Sequence, residues 1–184
     1  MALDATEVRV GVTGHLYKAI VGSTMPTDTT TALAVAWKEL GYTETGPKLS
    51  VDTKMESFIP WQSLSPVREA LVEQTVTAEF ALWQRNADTL KLAWGGGTVT
   101  GTTTRVFTPP SVPSVNEGAF VFEITDGTII DRYLIQRASI SLSGDVEFKK
   151  DGVTAYTIML KFLQPATGSP WSLLSSDDNI TADV

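Results

Sequence analysis

A chain of 184 residues, 42% of them hydrophobic, is long enough for one sizeable core and too apolar to be disordered throughout. It contains no cysteine, which excludes disulfides and thiolate metal sites, and its formal charge of −7 disfavours general adhesion to nucleic acid. No apolar run approaches the ~18 residues of a membrane-spanning helix, and no basic segment followed by an apolar run opens the chain, so neither a span nor a secretory signal is expected.

Taken in order, residues 1–7 read as a short flexible arm. Val8, Val10 and Val12 alternate with Arg9 and Gly11 and predict a first strand; residues 16–21 predict a second, turned beside Gly14. Small and polar residues with Pro26 make 22–31 a loop. Residues 32–40 are rich in helix formers behind a run of threonines, which predicts a helix ended by Gly41. In 48–57, Leu49, Val51, Thr53 and Met55 alternate with Lys48, Ser50, Asp52, Lys54 and Glu56, so a strand with one apolar and one charged face is expected. Residues 58–70 are irregular, broken by Pro60 and Pro66, yet carry Phe58, Ile59, Trp61 and Leu64. That much apolar surface on a loop implies either a partner or a fold-back onto its own domain.

The next stretch, TVTAEFALWQRNADTLKLAWGGG over 75–97, is the most informative. Val76, Ala78, Phe80 and Leu82 alternate with Thr75, Thr77, Glu79 and Ala81, the period of a strand with one buried face. Asn86 then stands as a helix N-cap, Asp88 suits the positive first turn, and Gly95 closes the helix. Phe80 and Leu82 on the strand, with Leu90 and Trp94 on the helix, are the expected helix-on-sheet core. Residues 98–108 read as a strand and 109–118 as a stiff Pro-rich connection. Strands are expected over 119–125 and 129–142 around the Asp126-Gly127 turn, then a hairpin of 146–150 with 153–163 across Asp151-Gly152. In its last strand Tyr156, Ile158, Leu160 and Phe162 share a face; residues 164–184 form a polar C-terminal tail. The sum is a single mainly-β domain over 1–184, of sandwich or barrel type, with one or two short helices.

Nothing in the sequence assembles chemistry. His15 is the only histidine and no G-x-S-x-G elbow accompanies it. Gly95-Gly96-Gly97 lacks the Gly-Lys-Ser/Thr of a phosphate loop and ends a helix instead of starting one. Asp52 and Glu56, a carboxylate pair on one strand face, suit solvent better than acid–base work. No catalytic, cofactor-binding or metal-binding residue is assigned, and the chain reads as a non-enzyme.

Three pieces in order carry a family likeness: GYTETGPKLSVDTKMESFIPWQ (41–62), VREALVEQTVTAEFALW (67–83) and NADTLKLAWGGG (86–97), preceded by TMPTDTTTALAVAWKELGY (24–42). This order resembles the major tail protein, or tail tube protein, of long-tailed bacteriophages with non-contractile tails, over about residues 10–100 and more loosely beyond. The resemblance implies a β-sandwich or split barrel with a flanking helix. It implies six subunits to a ring, with strands joining across subunits into a β-barrel around a channel. Rings would stack into a tube around the tape measure protein, meet head–tail connector or terminator and tail-tip proteins at its ends, and pass genomic DNA without binding it specifically. Its place would be the virion tail, assembled in the host cytoplasm, with no membrane partner. In such a tube Phe58, Ile59, Trp61, Leu64 and Arg68 are expected at contacts between rings or subunits, and Asp52, Lys54 and Glu56 toward the lumen. The alternative is a carbohydrate-binding β-sandwich of a tail tip or secreted protein, with Trp37, Trp61 or Trp171 as sugar platforms; against it, the aromatics are scattered.

Overall fold

Alternation in residues 75–82 decides where the core lies: Ala78, Phe80 and Leu82 are buried, while Thr75, Thr77, Glu79 and Ala81 are only partly covered. The computed structural model describes residues 7–112, 114–148 and 150–180. Of the expected N-terminal arm only Glu7 is among them, and the last four residues of the tail lie outside them. The elements are β1 (Thr13–Ala19), β2 (Lys38–Glu39), β3 (Lys48–Phe58), β4 (Arg68–Leu82), α1 (Ala87–Ala93), β5 (Thr98–Thr100), β6 (Val106–Thr108), β7 (Asn116–Asp126), β8 (Ile129–Leu142), β9 (Tyr156–Phe162) and β10 (Trp171–Ser175).

One antiparallel sheet runs β2-β1-β7-β8-β9-β4-β3, with β10 beside the first half of β8 and β9 beside its second half. The strip that follows β2 then meets the far end of β4. Trp83 N–H donates to the Tyr42 carbonyl at 2.9 Å, Glu44 N–H donates to the Ala81 carbonyl at 3.0 Å, and Thr43 bridges to Leu82. The sheet therefore curls into a split barrel, which leaves few free edges. Its interior holds Leu16, Phe80, Leu82, Phe120, Phe122, Ile135, Ile158 and Leu160, with Phe80 edge-on to Phe122 at 5.9 Å. A second cluster on the other face of β1, β7 and β8 is built from Ala19, Ala119, Val121 and Leu134 under Trp37. This is the expected mainly-β architecture with one short flanking helix.

Helix α1 forms for the reasons its sequence gives. Asn86 Oδ1 accepts from Thr89 N–H at 2.9 Å, Asp88 sits in the first turn, and Gly95 at φ +71° lets Gly96 N–H reach the Lys91 carbonyl at 2.7 Å. The face it buries differs from the expected one. Thr89, Leu92 and Ala93 are buried, Leu90 packs at the margin of the core, and Trp94 is 49% exposed. Both sets have helical spacing, but Trp94 is the C-cap at ψ 14°, already off the helix, so its indole turns outward.

Four local expectations fail for tertiary reasons. Residues 8–12 form no strand and Gly14 no turn; Gly14 lies within β1, where a Cβ would stand 2.4 Å from the Glu123 carbonyl oxygen. Residues 32–40 form no helix. Trp37 is buried on the sheet with its Nε1–H donating to the Thr24 carbonyl, and Arg132 takes the carbonyls of Asp28 (2.8 Å) and Thr31 (2.9 Å) while its Nε donates to Glu123 Oε2 at 2.7 Å. That buried arginine holds the bends at 28–31 and Trp37 anchors the segment that follows, against its helix propensity. Residues 98–108 make a small β5–β6 hairpin around Gly101 instead of one strand. Among the described residues of 146–150 none pairs with 153–163, because β9 is already paired on both sides, to β8 and β4. The tail after residue 164 contributes a strand, β10.

These burials set a stability contrast. Phe80→Ala should cost about 3–5 kcal/mol, whereas Trp94→Ala should cost well under half of that. Denaturant melts of the two variants check it; equal losses would mean that Trp94 belongs to the core after all.

Candidate assembly surface

β3 and β4 are longer than the barrel needs. They pair with each other from Lys48 opposite Glu79 to Phe58 opposite Arg68, but β9 accompanies β4 only as far as Thr77. From about residue 51 to residue 76 the sheet is thus two strands wide, and every residue of β3 is exposed. The pair extends from the barrel as an arm.

Register assigns its faces. Leu49 lies opposite Ala78, Val51 opposite Val76, and Met55 opposite Leu71, so the side that holds Ala78, Phe80 and Leu82 inside the barrel continues along the arm as an uncovered, mainly apolar stripe, interrupted by the uncharged polar pair Thr53 and Gln74. The other face carries Asp52 opposite Thr75, Lys54 opposite Glu73, and Glu56 opposite Ala70. Asp52, Lys54 and Glu56 therefore share one face, and on the adjoining barrel it runs into Lys48 with Glu79 and Thr77 with Lys161. Acids and bases nearly balance there, so the −7 of the chain is not concentrated on this face.

At the tip the chain turns in an ordered loop. Val67 N–H donates to the Phe58 carbonyl at 3.0 Å, Ser63 N–H to the Pro60 carbonyl at 3.2 Å, and Ser65 N–H to Ser63 Oγ at 3.1 Å. Phe58, Ile59 and Val67 are exposed, Trp61 is 98% and Leu64 100% exposed, and Arg68 stands opposite Phe58 on the charged side. Within the subunit these side chains do not fold back onto the barrel. An isolated two-stranded hairpin is marginal in water, and an apolar patch of this extent marks a contact surface. Sequence reading found the loop but missed that β4 starts as early as Arg68. The adjacent apolar pair Leu71-Val72, which breaks the two-residue period, is the signal of the register shift there.

Elsewhere the candidates disperse. His15 Nδ1 lies 2.7 Å from Glu39 Oε1 in a cleft of about 870 Å³ between the start of β1 and the 41–47 loop. Among the described residues no group of three or more His, Asp or Glu is placed to hold a metal, and no helix is long and apolar enough to cross a membrane. Trp37 is buried, Trp171 stacks on Tyr133 at 6.2 Å, and Trp61 stands at the arm's tip, so the three make no common sugar platform.

Three carboxylates stitch the periphery together. Asp177 at the C-terminal end is held below the usual range by the hydrogen bond from the Arg9 guanidinium and by Asn179 N–H, which clasps the two ends of the chain. Glu117 is lowered by Arg137, and Asp28 by the Thr31 N–H and hydroxyl. A folded pKa below the unfolded one adds stability above the unfolded value and loses it as pH falls through the folded one. Melting temperature should therefore decline on acidification below about pH 4, and Asp177→Asn should remove part of that decline. An unchanged acid limb in the Asp177→Asn variant would show that the clasp contributes nothing.

A split barrel that bears an uncovered, mainly apolar arm, with no catalytic or metal constellation among the described residues, is the geometry of a structural protein. A family model for phage tail tube proteins matches residues 1–183, and the chain belongs to that family. It is a structural, non-enzymatic component of the phage tail, located in the virion. No match to a curated protein was found.

Proposed function

We propose that six copies form a ring in which arm strands pair across subunits into a β-barrel around a channel. Rings then stack into the tube that conducts DNA to the host. The observation that carries this reading is the arm. The outer edge of β3 and residues 68–76 of β4 offer unpaired backbone groups, and an open edge of this length needs a partner strand. The whole chain serves as one tube domain, with β10 fastening its C-terminal end. The tape measure protein occupies the lumen during assembly, and connector or terminator and tail-tip proteins cap the ends.

In this arrangement Asp52, Lys54 and Glu56 face the lumen. The same face of the barrel carries Thr77, Thr157, Ser139 and Ser141, short hydroxyl side chains among nearly balanced charges. A wall of that kind offers phosphates no cationic track, which favours sliding over sticking. The arm's tip, the 59–67 loop with Ile59, Trp61 and Leu64 and the strand ends at Phe58 and Arg68, crosses to a neighbouring subunit or ring and buries Trp61 there. Its prolines lower the entropy lost on fixing the loop, and aromatic anchors dominate interfaces.

Negative-stain microscopy of the purified protein should show rings or tubes; a strict monomer at all concentrations that does not enter particles would refute the proposal. Trp61→Ala should retain the parent's circular dichroism and melting temperature yet form few tubes. Normal tubes built from a destabilised subunit would instead place Trp61 in the subunit's own stability.

A further inference from the structure

Within Arg68–Leu82, Val72 alone has no partner across the sheet. Lys54 lies opposite Glu73 and Met55 opposite Leu71, so Val72 is an extra residue, a bulge near the middle of the arm. Such an insertion bends the strand and raises its twist. The allocation of faces survives it. Leu49, Val51 and Met55 keep company with Ala78, Val76 and Leu71 on the barrel-interior side, with Thr53 and Gln74 between them, while Asp52, Lys54, Glu56 and Glu73 stay opposite; the stripe ends toward the tip where Ser57 meets Glu69. Met55, Leu71 and Val72 are each about half exposed.

We propose that this interior-side stripe, Leu49, Val51, Met55, Leu71, Val72 and Val76, is the surface that seats a second copy of this chain, and that the bulge at Val72 sets the angle at which the arm reaches it. The proposal rests on the assembly reading above and adds which face of the arm is covered and what aims it. The stripe is continuous with a face that the barrel itself covers with apolar side chains, so its complement is apolar surface of the same kind. The stripe exposes on the order of 500 Å², and with the tip more than about 1,000 Å², against the roughly 800 Å² per partner of a stable interface. The charged opposite face cannot take that role without stranding Asp52, Lys54, Glu56 and Glu73 in a dry contact.

The absence of cysteine makes the test clean. Met55→Cys and Lys54→Cys put single thiols on opposite faces of adjacent positions. On assembly, maleimide labelling should slow at least about tenfold in Met55→Cys and by less than about twofold in Lys54→Cys, since access governs thiol reactivity. Equal protection of both, or of neither, in tubes that do form overturns the assignment of faces. Protection of Met55→Cys only when another virion protein is added overturns the second copy as occupant. Deletion of Val72 makes the ladder regular; the subunit should melt as the parent does and fail to build parental tubes. Tubes indistinguishable from the parent's would overturn the aiming role. If the parent itself forms no rings, the assembly reading falls; if it forms them and these variants behave otherwise than stated, only the present inference falls.

Discussion

One strand has to satisfy two environments. The last third of β4 has β9 on one side and, on the other, the start of β3 and then the 42–44 strip, with Ala78, Phe80 and Leu82 in the core, whereas its first half stands in the arm with only β3 beside it. Two-residue alternation joins the halves from Leu82 down to the bulge at Val72, and a slip of one residue in the barrel would turn the arm side chains over. The barrel's packing around Phe80, Phe122 and Ile158 therefore fixes which face of the arm is apolar, some distance from any contact the arm makes in the subunit. Core and assembly surface are two ends of one register.

Legibility in the sequence follows from this. The β4 pattern, the capped helix and the buried face of β9 were readable because local spacing and tertiary burial agree there. The helix expected over 32–40 failed because two long-range anchors override propensity: buried Trp37, and Arg132, a residue of β8 that seizes the Asp28 and Thr31 carbonyls. No local signal announces a contact with a residue a hundred positions away. Trp94 failed for a subtler reason, since a helix of seven residues permits two apolar faces and only the C-cap geometry selects between them. The arm was half legible. Its charged and apolar alternation in 48–57 was plain, but its partner strand was hidden behind Pro66 and the bulge.

The electrostatics are local. The chain's net negative charge suggests an acidic channel, yet the face that carries Asp52, Lys54 and Glu56 also carries Lys48, Lys161, Glu73 and Glu79 in nearly equal balance. Lys54 stands opposite Glu73 and Lys48 opposite Glu79, so opposite charges face each other across the strands and offset what a count of acids alone would add up. The unpaired part of the −7 must lie on other surfaces. In the proposed ring this face lines the lumen, where nearly balanced charges among hydroxyls would offer phosphates no cationic track.

An arm of this kind also has to stay single until it meets its partner. A long apolar strand edge left open in solution pairs with whatever edge it finds. Here the hazard is limited by features of the arm itself. Lys48, Lys54, Glu56 and Glu73 line one face; Pro60 and Pro66 stop the ladder at the tip; and the Val72 bulge interrupts the flat edge that non-specific pairing requires. A two-stranded ribbon carrying these features is too weak to hold a wrong partner through backbone bonds alone. It gains stability only where its apolar stripe is covered at the same time as its edge is paired, and that coincidence exists only against a surface whose shape and register match.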